Sequence, residues 1–228
     1  MAKQKENSIK WTLGALVEAF GIKGIIPNED NYPMLSTWLA ATTEFDEYEL
    51  KQLEELRAEL MADVENWDEE DLKMSFISFI LRMSKYLVKR EHYRAFFEKT
   101  ITATIGEFVL TTKPDMMLAR RVEDELRTPY FCFHEYTCTE RSRSKKSKPD
   151  RDPRAQLIQD MLIAQTLNPS HKPIYGCYVI GRYWYFVILN QNEYAISNSF
   201  NATEKADLYK IVAILRHFWV ILETELVV

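Results

Sequence analysis

Residues 113–115 of this chain read KPD and residues 131–137 read FCFHEYT, and these two stretches carry its most specific chemistry. The second stretch is strand-like, and because successive side chains of a strand point to opposite faces, Glu135 and Thr137 share one face of it. If this strand pairs with the segment that ends at Asp115, the carboxylates of Asp115 and Glu135 reach the same edge. Two carboxylates placed in this way suit a hard cation such as Mg²⁺.

The composition is that of an ordinary globular protein. With 228 residues, of which 46% are hydrophobic and 13% aromatic, the chain can bury a substantial core in one large domain or one domain with an appendage. No stretch approaches the roughly 18 uninterrupted apolar residues of a membrane span, and the first residues lack the apolar run of a secretory signal. We therefore expect a cytoplasmic protein without a membrane segment. The three cysteines, Cys132, Cys138 and Cys177, have no close spacing and are expected to be reduced thiols.

Charge is distributed unevenly along the chain. The net charge of −5 argues against indiscriminate binding of nucleic acid, and residues 44–71 carry thirteen acids against two bases, which we interpret as a solvated helix face. Residues 139–154, in contrast, carry seven bases against three acids. This basic stretch has no apolar periodicity and predicts a mobile loop that contacts phosphates, with an inert solvated loop as the alternative. The candidate nucleic-acid-binding residues are Arg141, Arg143, Lys145, Lys146 and Lys148.

The pattern of apolar residues divides the chain into two regions. Residues 1–65 predict an N-terminal helical region that forms an accessory layer, with a loop at Gly24 and Pro27. Residues 66–228 predict an α/β (α+β) domain with a central mixed sheet flanked by helices. The first helix of this domain takes Asp68 or Asn66 as its N-cap.

Strand and helix patterns alternate through the second region. A hairpin is expected over residues 99–111, and the charged residues 116–129 are expected to form an exposed loop or a short helix. A further helix begins with Asp152 as cap and a proline in its first turn. The remaining expected elements are a strand over residues 130–137, strands over 174–180, 183–189 and 194–200, and a final helix capped by Thr203.

Three other side-chain patterns have both a structural and a functional interpretation. Glu69 lies in the first turn of its helix, where the helix dipole favours acids, but it also lies on the inward stripe and is a candidate site residue. His134 points away from Glu135 and is expected to be packed and hydrogen-bonded rather than to carry protons. The aromatic residues around Trp184 and Phe186 are expected in the core rather than in a base-stacking platform, because they occupy both faces of one strand.

Hydrolysis of a phosphodiester explains why two carboxylates and a cation would be combined. A metal ion held by the carboxylates polarises the phosphoryl group and lowers the pKa of water, and a nearby cation, usually lysine, helps to hold and deprotonate that water. Thr137, two residues after Glu135 and on the same strand face, carries a hydroxyl instead. A hydroxyl can orient a water through a hydrogen bond, but it contributes no positive charge.

Taken together, these motifs resemble the PD-(D/E)XK nuclease superfamily, and the resemblance covers roughly Trp67 to the end of the chain. It implies a restriction-endonuclease-like core in the order helix, three strands, helix, strand. It also implies that Asp115 and Glu135 bind a catalytic Mg²⁺ or Mn²⁺. By the same resemblance Glu69 or Glu70 is a third acid, and Gln156 corresponds to the glutamine that many members carry at a helix start. The departure from the family pattern is Thr137; a lysine of the basic loop, Lys145, Lys146 or Lys148, would have to replace the missing cation in space.

Three hypotheses follow from the sequence. The first is a divalent-metal-dependent nuclease with nucleic acid as its partner. The second is a nuclease-fold protein that has lost catalysis and serves as a nucleic-acid-binding or protein-assembly module, with the N-terminal helices offering a surface to a second copy or another protein. The third is a dimeric protein of unrelated mixed fold, which separation of Asp115 from Glu135 would favour.

Overall fold

A computed structural model of the protein describes residues 11–27, 32–88, 90–138 and 152–227. These residues form a mixed α/β architecture in which a central mixed sheet is flanked by helices. The five candidate phosphate-binding residues of the basic stretch, Arg141, Arg143, Lys145, Lys146 and Lys148, lie outside the described residues. In the described part of the chain no helix is both long and apolar enough to cross a membrane.

The helices and strands follow one another in a fixed order along the chain. The helices are α1 (Leu13–Phe20), α2 (Pro33–Leu39), α3 (Glu47–Asp63), α4 (Glu69–Leu72), α5 (Ser78–Met83), α6 (Pro153–Leu167) and α7 (Lys205–Ile221), with π-helical segments Lys73–Ile77 between α4 and α5 and Leu222–Leu226 after α7. The strands are β1 (Lys23–Ile25), β2 (Tyr93–Phe97), β3 (Ile101–Ile105), β4 (Phe108–Thr112), β5 (Met116–Val122), β6 (Glu125–Thr137), β7 (Ile174–Ile180), β8 (Tyr183–Asn190), β9 (Glu193–Ile196) and β10 (Phe200–Asn201).

The main sheet has the strand order β1-β9-β8-β7-β6-β5-β2, and β10 pairs with β8. Strands β2, β5 and β6 form an antiparallel meander, and β7 then lies parallel to β6. A parallel pair needs a crossover, and α6 provides it. On the other side of β7, the strands β7, β8 and β9 pair antiparallel and β1 pairs in parallel with β9, so the sheet is mixed.

The prediction of a loop or short helix over residues 116–129 is wrong. These residues form β5 and the first part of β6, which pair as an antiparallel hairpin with register shifts near Leu118 and Ala119. The first four residues of β5 are all buried, so they lack the alternation that marks a half-exposed strand. The charged residues that suggested a loop lie at the exposed end of the same hairpin.

The other expected elements lie close to their predicted positions. The hairpin predicted over residues 99–111 consists of β3 and β4, which form a separate two-stranded sheet with Gly106 at φ 60° in the turn. Asp68 caps α4 and Asp152 caps α6, as the sequence indicates. The last predicted strand is interrupted, because β9 and β10 are two short strands, and the final helix has Glu204 rather than Thr203 at its N-cap position.

The sheet separates two hydrophobic clusters. One cluster contains α2, α3, α5 and α7 residues packed on the strand face of Cys132, Tyr136 and Cys177. The other contains α1, α6 and the β3–β4 hairpin, packed on the face of Phe133 and Tyr178. Trp184 and Phe186 are fully buried in the first cluster, which confirms the prediction of core packing, and all three cysteines are buried free thiols.

The N-terminal residues are part of the same packing arrangement. The segment predicted as a loop around Gly24 contains β1, which pairs in parallel with β9 at the edge of the main sheet. Trp38 of α2 is fully buried and donates a hydrogen bond from Nε1 to the Ile214 carbonyl oxygen of α7 at 2.9 Å. Residues 11–63 therefore contribute a strand and three helices to the body of the fold.

Candidate functional site

The β5–β6 hairpin brings Asp115 and Glu135 together. Met116 pairs with His134 in the antiparallel register, so Asp115, one residue before β5, lies beside Glu135, one residue further along β6. The Asp115 carboxylate accepts a hydrogen bond at Oδ2 from the Tyr136 backbone N–H at 2.8 Å. The Asp115 backbone N–H in turn hydrogen-bonds the Glu135 carboxyl group. The two carboxyls are thus neighbours as predicted, but the predicted pairing is wrong: β6 pairs with β5, which follows Asp115, whereas the strand before Asp115 belongs to a separate sheet.

Lys73 supplies positive charge to this site. Its Nζ lies 2.8 Å from Asp115 Oδ1 and 2.7 Å from Glu69 Oε1, and the side chains of Lys73 and Asp115 are only 17% and 14% exposed. Burial alone would lower the pKa of Lys73, but hydrogen bonds and charges from Asp115 and Glu69 outweigh burial and raise the pKa above its usual value. Lys73 is therefore a permanent cation beside Asp115. The sequence reasoning missed it, although its spacing of four residues from Glu69 was a usable signal.

The helix that carries Lys73 has an unusual local geometry. Asp68 and Asp71 form a reciprocal capping box that fixes the start of α4. Asp71, one of the three acids in this turn, therefore has a structural role. A π-helical segment begins at Lys73 and ends at Ile77. Such π-bulges occur often at functional sites, because they re-aim side chains relative to a regular α-helix. Glu69, the predicted third acid, reaches the carboxyl cluster through its ion pair with Lys73.

Thr137 and Gln156 lie on β6 and α6, the two elements that also carry Glu135 and Asp160. Thr137 is buried on the same strand face as Glu135, and Gln156 is half-buried in the first turn of α6. Gln156 precedes Asp160 by four residues, so both side chains lie on one face of α6. Thr137 therefore shares a face with Glu135, and Gln156 shares a face with Asp160.

Asp160 is a site residue that the sequence reasoning did not identify. It is fully buried on α6, and its Oδ1 accepts a hydrogen bond from the Thr112 hydroxyl at 2.5 Å. The Asp160 and Glu135 carboxyl groups lie within hydrogen-bonding range of each other. A carboxylate among the apolar positions of a buried helix was the only signal in the sequence, and no motif marks it.

Burial and mutual repulsion shift the pKa values of these carboxyls upward. Desolvation is the main cause for Glu135, and the charges of Asp160 and Asp115 add to it, so the pKa of Glu135 is well above its usual value. Desolvation raises the pKa of Asp160 to about 7, against opposing hydrogen bonds from Thr112 and Glu135. Desolvation also raises the pKa of Asp115, although Lys73 and the Tyr136 amide oppose it.

These shifts predict how Asp160→Asn changes stability with pH when no metal is present. A carboxyl with a raised folded-state pKa stabilises the fold at low pH and loses that contribution as pH rises, here from about 4 to about 7. Asparagine removes this loss, so the variant should gain about 2–3 kcal/mol of unfolding free energy relative to the wild type between pH 5 and pH 8. Urea unfolding of both proteins in EDTA, at pH 5 and at pH 8, measures this difference in unfolding free energy. Asp124→Asn, at an exposed turn, is the control, and an equal difference at both pH values would contradict the expectation.

His134 belongs to the core rather than to the carboxyl cluster. It is fully buried, its Nδ1 lies 2.9 Å from the Tyr136 hydroxyl, and its ring lies against Tyr86. Burial lowers the pKa of His134 to about 3, so the imidazole is neutral. The prediction that this histidine is packed and hydrogen-bonded is confirmed.

The cluster provides oxygen donors but not a preformed three-ligand metal cage. Among the described residues no group of three or more His, Cys, Asp or Glu side chains has the geometry to hold a metal ion. Mg²⁺ usually binds through one or two carboxylates, with waters and substrate phosphates completing its coordination, so a pair of carboxyls fits its requirements. A donor set made only of carboxyl oxygens favours a hard divalent cation over zinc.

Comparison of the sequence with models of known protein families and with curated proteins finds no match.

Proposed function

We propose that this chain is a divalent-metal-dependent nuclease of the PD-(D/E)XK type, which hydrolyses phosphodiester bonds of DNA or RNA. The observation that carries the proposal is the ion pair between Lys73 and Asp115 beside buried Glu135. This arrangement brings the two acids of the motif, Asp115 and Glu135, together with a lysine from outside the motif.

The order of elements supports this proposal. A helical segment, α4 to α5, precedes the antiparallel meander of β2, β5 and β6, and α6 then leads to β7 parallel to β6. This agrees with the sequence helix, three strands, helix, strand that a restriction-endonuclease-like core implies, with the β3–β4 hairpin inserted between its first two strands. Asp115 lies at the start of the second strand of the meander and Glu135 near the end of the third.

Asp115 and Glu135 would hold Mg²⁺ or Mn²⁺ in this proposal. Bound there, the cation supplies positive charge to the phosphate and lowers the pKa of water. Glu135 Oε1 is buried without a hydrogen-bond donor among the described residues, which is consistent with a carboxylate that binds a cation. Burial and the neighbouring Asp160 and Asp115 charges raise the pKa of Glu135, and the hydrogen bond from the Asp115 backbone N–H opposes this rise, so a bound cation would be needed to favour the ionised form.

Lys73 supplies the positive charge that Thr137, at the usual lysine position of the motif, does not provide. Because the pKa of Lys73 is raised, its ammonium stays protonated and acts as a fixed positive charge and hydrogen-bond donor rather than as a base. Thr137 can orient a water molecule through its hydroxyl, and Gln156 can do the same from α6. Glu69 holds the Lys73 ammonium in place. The basic residues 141–148 would bind the phosphates on either side of the cleaved bond.

The test is cleavage by the wild type and two site variants. Purified protein is incubated with single- and double-stranded DNA and RNA in Mg²⁺, Mn²⁺ or EDTA, beside Asp115→Asn and Glu135→Gln. We expect metal-dependent cleavage that each substitution lowers by at least about 100-fold, because each replaces a negatively charged ligand of the metal ion with a neutral amide. Asp124→Asn in the exposed β5–β6 turn is the matched control and should cleave as the wild type does. Cleavage that survives both site substitutions would overturn the proposal.

A second candidate function is a catalytically inactive module of the same fold. Two observations favour it: Thr137 stands at the usual lysine position, and Lys73 already neutralises one of the two motif acids. Absence of cleavage together with salt-sensitive binding of nucleic acid, weakened when Lys145, Lys146 and Lys148 are neutralised, would favour a nucleic-acid-binding module. Absence of both would favour an assembly role with a protein partner.

A further inference from the structure

A row of side chains extends across the main sheet from Glu135. In the parallel pair of β6 and β7, Glu135 lies opposite Tyr178, and in the antiparallel pair of β7 and β8, Tyr178 lies opposite Tyr185. Paired residues of neighbouring strands point to the same face, so the three side chains share the face on which α6 packs. Strands lie about 4.8 Å apart, which puts the Tyr185 backbone roughly 10 Å from that of Glu135. The two tyrosines therefore lie beside the acids of the candidate site.

Tyr178 and Tyr185 form a stacked aromatic pair. Their ring centroids lie 4.6 Å apart, and their planes differ by 8°. Tyr178 is only 6% exposed, whereas Tyr185 is half-buried, so the pair is anchored in the core and part of the Tyr185 ring reaches solvent. Trp184 and Phe186, the neighbours of Tyr185 on β8, are buried in the cluster on the other side of the sheet. Within the described ranges, Tyr178 is the one ring in contact with Tyr185, so the second face of Tyr185 has no aromatic partner there.

Arg154 places a positive charge close to this pair. It lies in the first turn of α6 and is exposed. Burial raises the pKa of Tyr178, and the charge of Arg154 opposes this rise, so the guanidinium lies near the Tyr178 hydroxyl. The guanidinium pairs with Asp152 at 3.2 Å. Exposed ion pairs contribute little, so Arg154 can exchange this carboxylate for a phosphate.

An open aromatic face with a guanidinium beside it suits an unpaired nucleotide. Bases of a single strand stack on tyrosine rings, and their phosphates bind arginine, whereas the bases of a duplex are already stacked on one another. We propose that Tyr185, held in place by Tyr178, is a stacking platform for an unpaired base of a single-stranded nucleic acid, and that Arg154 binds a neighbouring phosphate. This assignment rests on the proposed function for the class of ligand, and it makes a single strand the preferred substrate.

Binding of a short, fluorescently labelled oligothymidylate, measured by anisotropy in EDTA, tests the platform without relying on a metal ion or on cleavage. An abasic strand of the same length keeps the phosphates but has no bases, so the ratio of the two affinities measures stacking. We expect the wild type to bind oligothymidylate about tenfold more tightly than the abasic strand, the usual effect of one stacked base. Tyr185→Leu should lose most of this preference, whereas Tyr185→Phe retains the ring and should keep it.

Two further variants separate the platform from other effects. Tyr48→Leu is the matched control, because Tyr48 is 70% exposed on α3, which packs on the other face of the sheet, and it should bind both strands as the wild type does. Arg154→Gln should weaken binding of both strands by the same factor, since it removes a phosphate contact and leaves the ring in place. Urea unfolding of each variant measures whether it is folded.

An unchanged preference for the base-containing strand in folded Tyr185→Leu would overturn the proposal, and so would failure of the wild type to bind oligothymidylate. Thymidine monophosphate that binds as tightly as the strand would also contradict it, because the site would then take a free nucleotide. If Tyr185→Leu loses the preference but the wild type cleaves no strand in Mg²⁺ or Mn²⁺, the platform stands and the nuclease proposal falls. If the wild type cleaves and Tyr185→Leu keeps the preference, only the platform falls.

Discussion

Lys73→Ala is expected to lower metal-dependent cleavage by at least about 100-fold, the usual effect of removing one preorganised charged donor from an active site. The variant loses the ammonium that lies 2.8 Å from Asp115 Oδ1. It also leaves a largely buried Asp115 without its cation, so a lower unfolding free energy is expected together with the loss of activity. Cleavage rates under single-turnover conditions and urea unfolding measure the two effects.

Lys113→Ala is the matched control for Lys73→Ala. Lys113 lies two residues from Asp115, but it is more than half exposed and pairs with the equally exposed Glu98. Exposed ion pairs contribute little, so this variant should keep wild-type cleavage and stability. Lys73→Arg tests geometry: it retains the charge, but a planar guanidinium does not reproduce the contacts of an ammonium, and activity should fall between the wild type and Lys73→Ala. Wild-type cleavage by Lys73→Ala would show that the missing lysine of the motif is supplied from elsewhere.

Gly176→Ala is expected to destabilise the fold by about 1–3 kcal/mol, with Gly176→Val at or above the upper end of this range. Gly176 lies on β7 where α6 crosses the sheet. A Cβ atom there would lie 2.7 Å from Met161 Cε, 2.8 Å from the Phe133 carbonyl oxygen and 2.9 Å from Leu157 Cδ1. The ends of the Met161 and Leu157 side chains can rotate away, but the Phe133 carbonyl oxygen is backbone of β6 and cannot, so the β6–β7 pair itself has to distort. Urea or thermal unfolding measures the change.

Gly14→Ala separates close packing from a general effect of glycine replacement. Gly14 lies within α1, and a Cβ atom there would meet only Thr12 Oγ1, at 4.0 Å. Alanine is the better helix former, so this variant should be neutral or slightly more stable. If Gly176→Ala were as stable as Gly14→Ala, the Phe133 carbonyl oxygen could not lie as close to position 176 as the structure has it. Activity should also fall in Gly176→Ala, because β6, which has to distort, carries Glu135 and Thr137.

The regular parts of the fold were predictable because one local pattern determined each of them. Strand alternation assigned Glu135 and Thr137 to one face of β6 and His134 to the other, as the structure shows. The start of α6 followed from an aspartate cap and a first-turn proline. The β5 strand was missed because Met116 to Ala119 are buried on both faces and the charged hairpin end that follows resembles a loop.

The site was predictable only where its residues belong to a motif. Asp115 and Glu135 are recognisable from two stretches of sequence, whereas Lys73 and Asp160 reach them through tertiary contacts from two different helices. A sequence pattern shows which residues share a face of one element, but the distance between elements depends on packing. Among the described residues a lysine lies beside Asp115 on the helical segment that precedes the meander, whereas Lys145, Lys146 and Lys148 of the basic stretch lie outside the described residues.

The parallel pair of β1 and β9 affects the order in which the protein can assemble. Lys23 of β1 pairs with Glu193 of β9, so most of the fold lies between the two strands in sequence. Contacts between such distant residues form slowly, because a long segment of chain must be ordered before they close. We expect β1 to dock after the strands between them have paired, and until then β9 has an unpaired edge to which another chain can add. Once docked, the three-residue β1 covers that edge, and so short an edge strand offers little template for another chain.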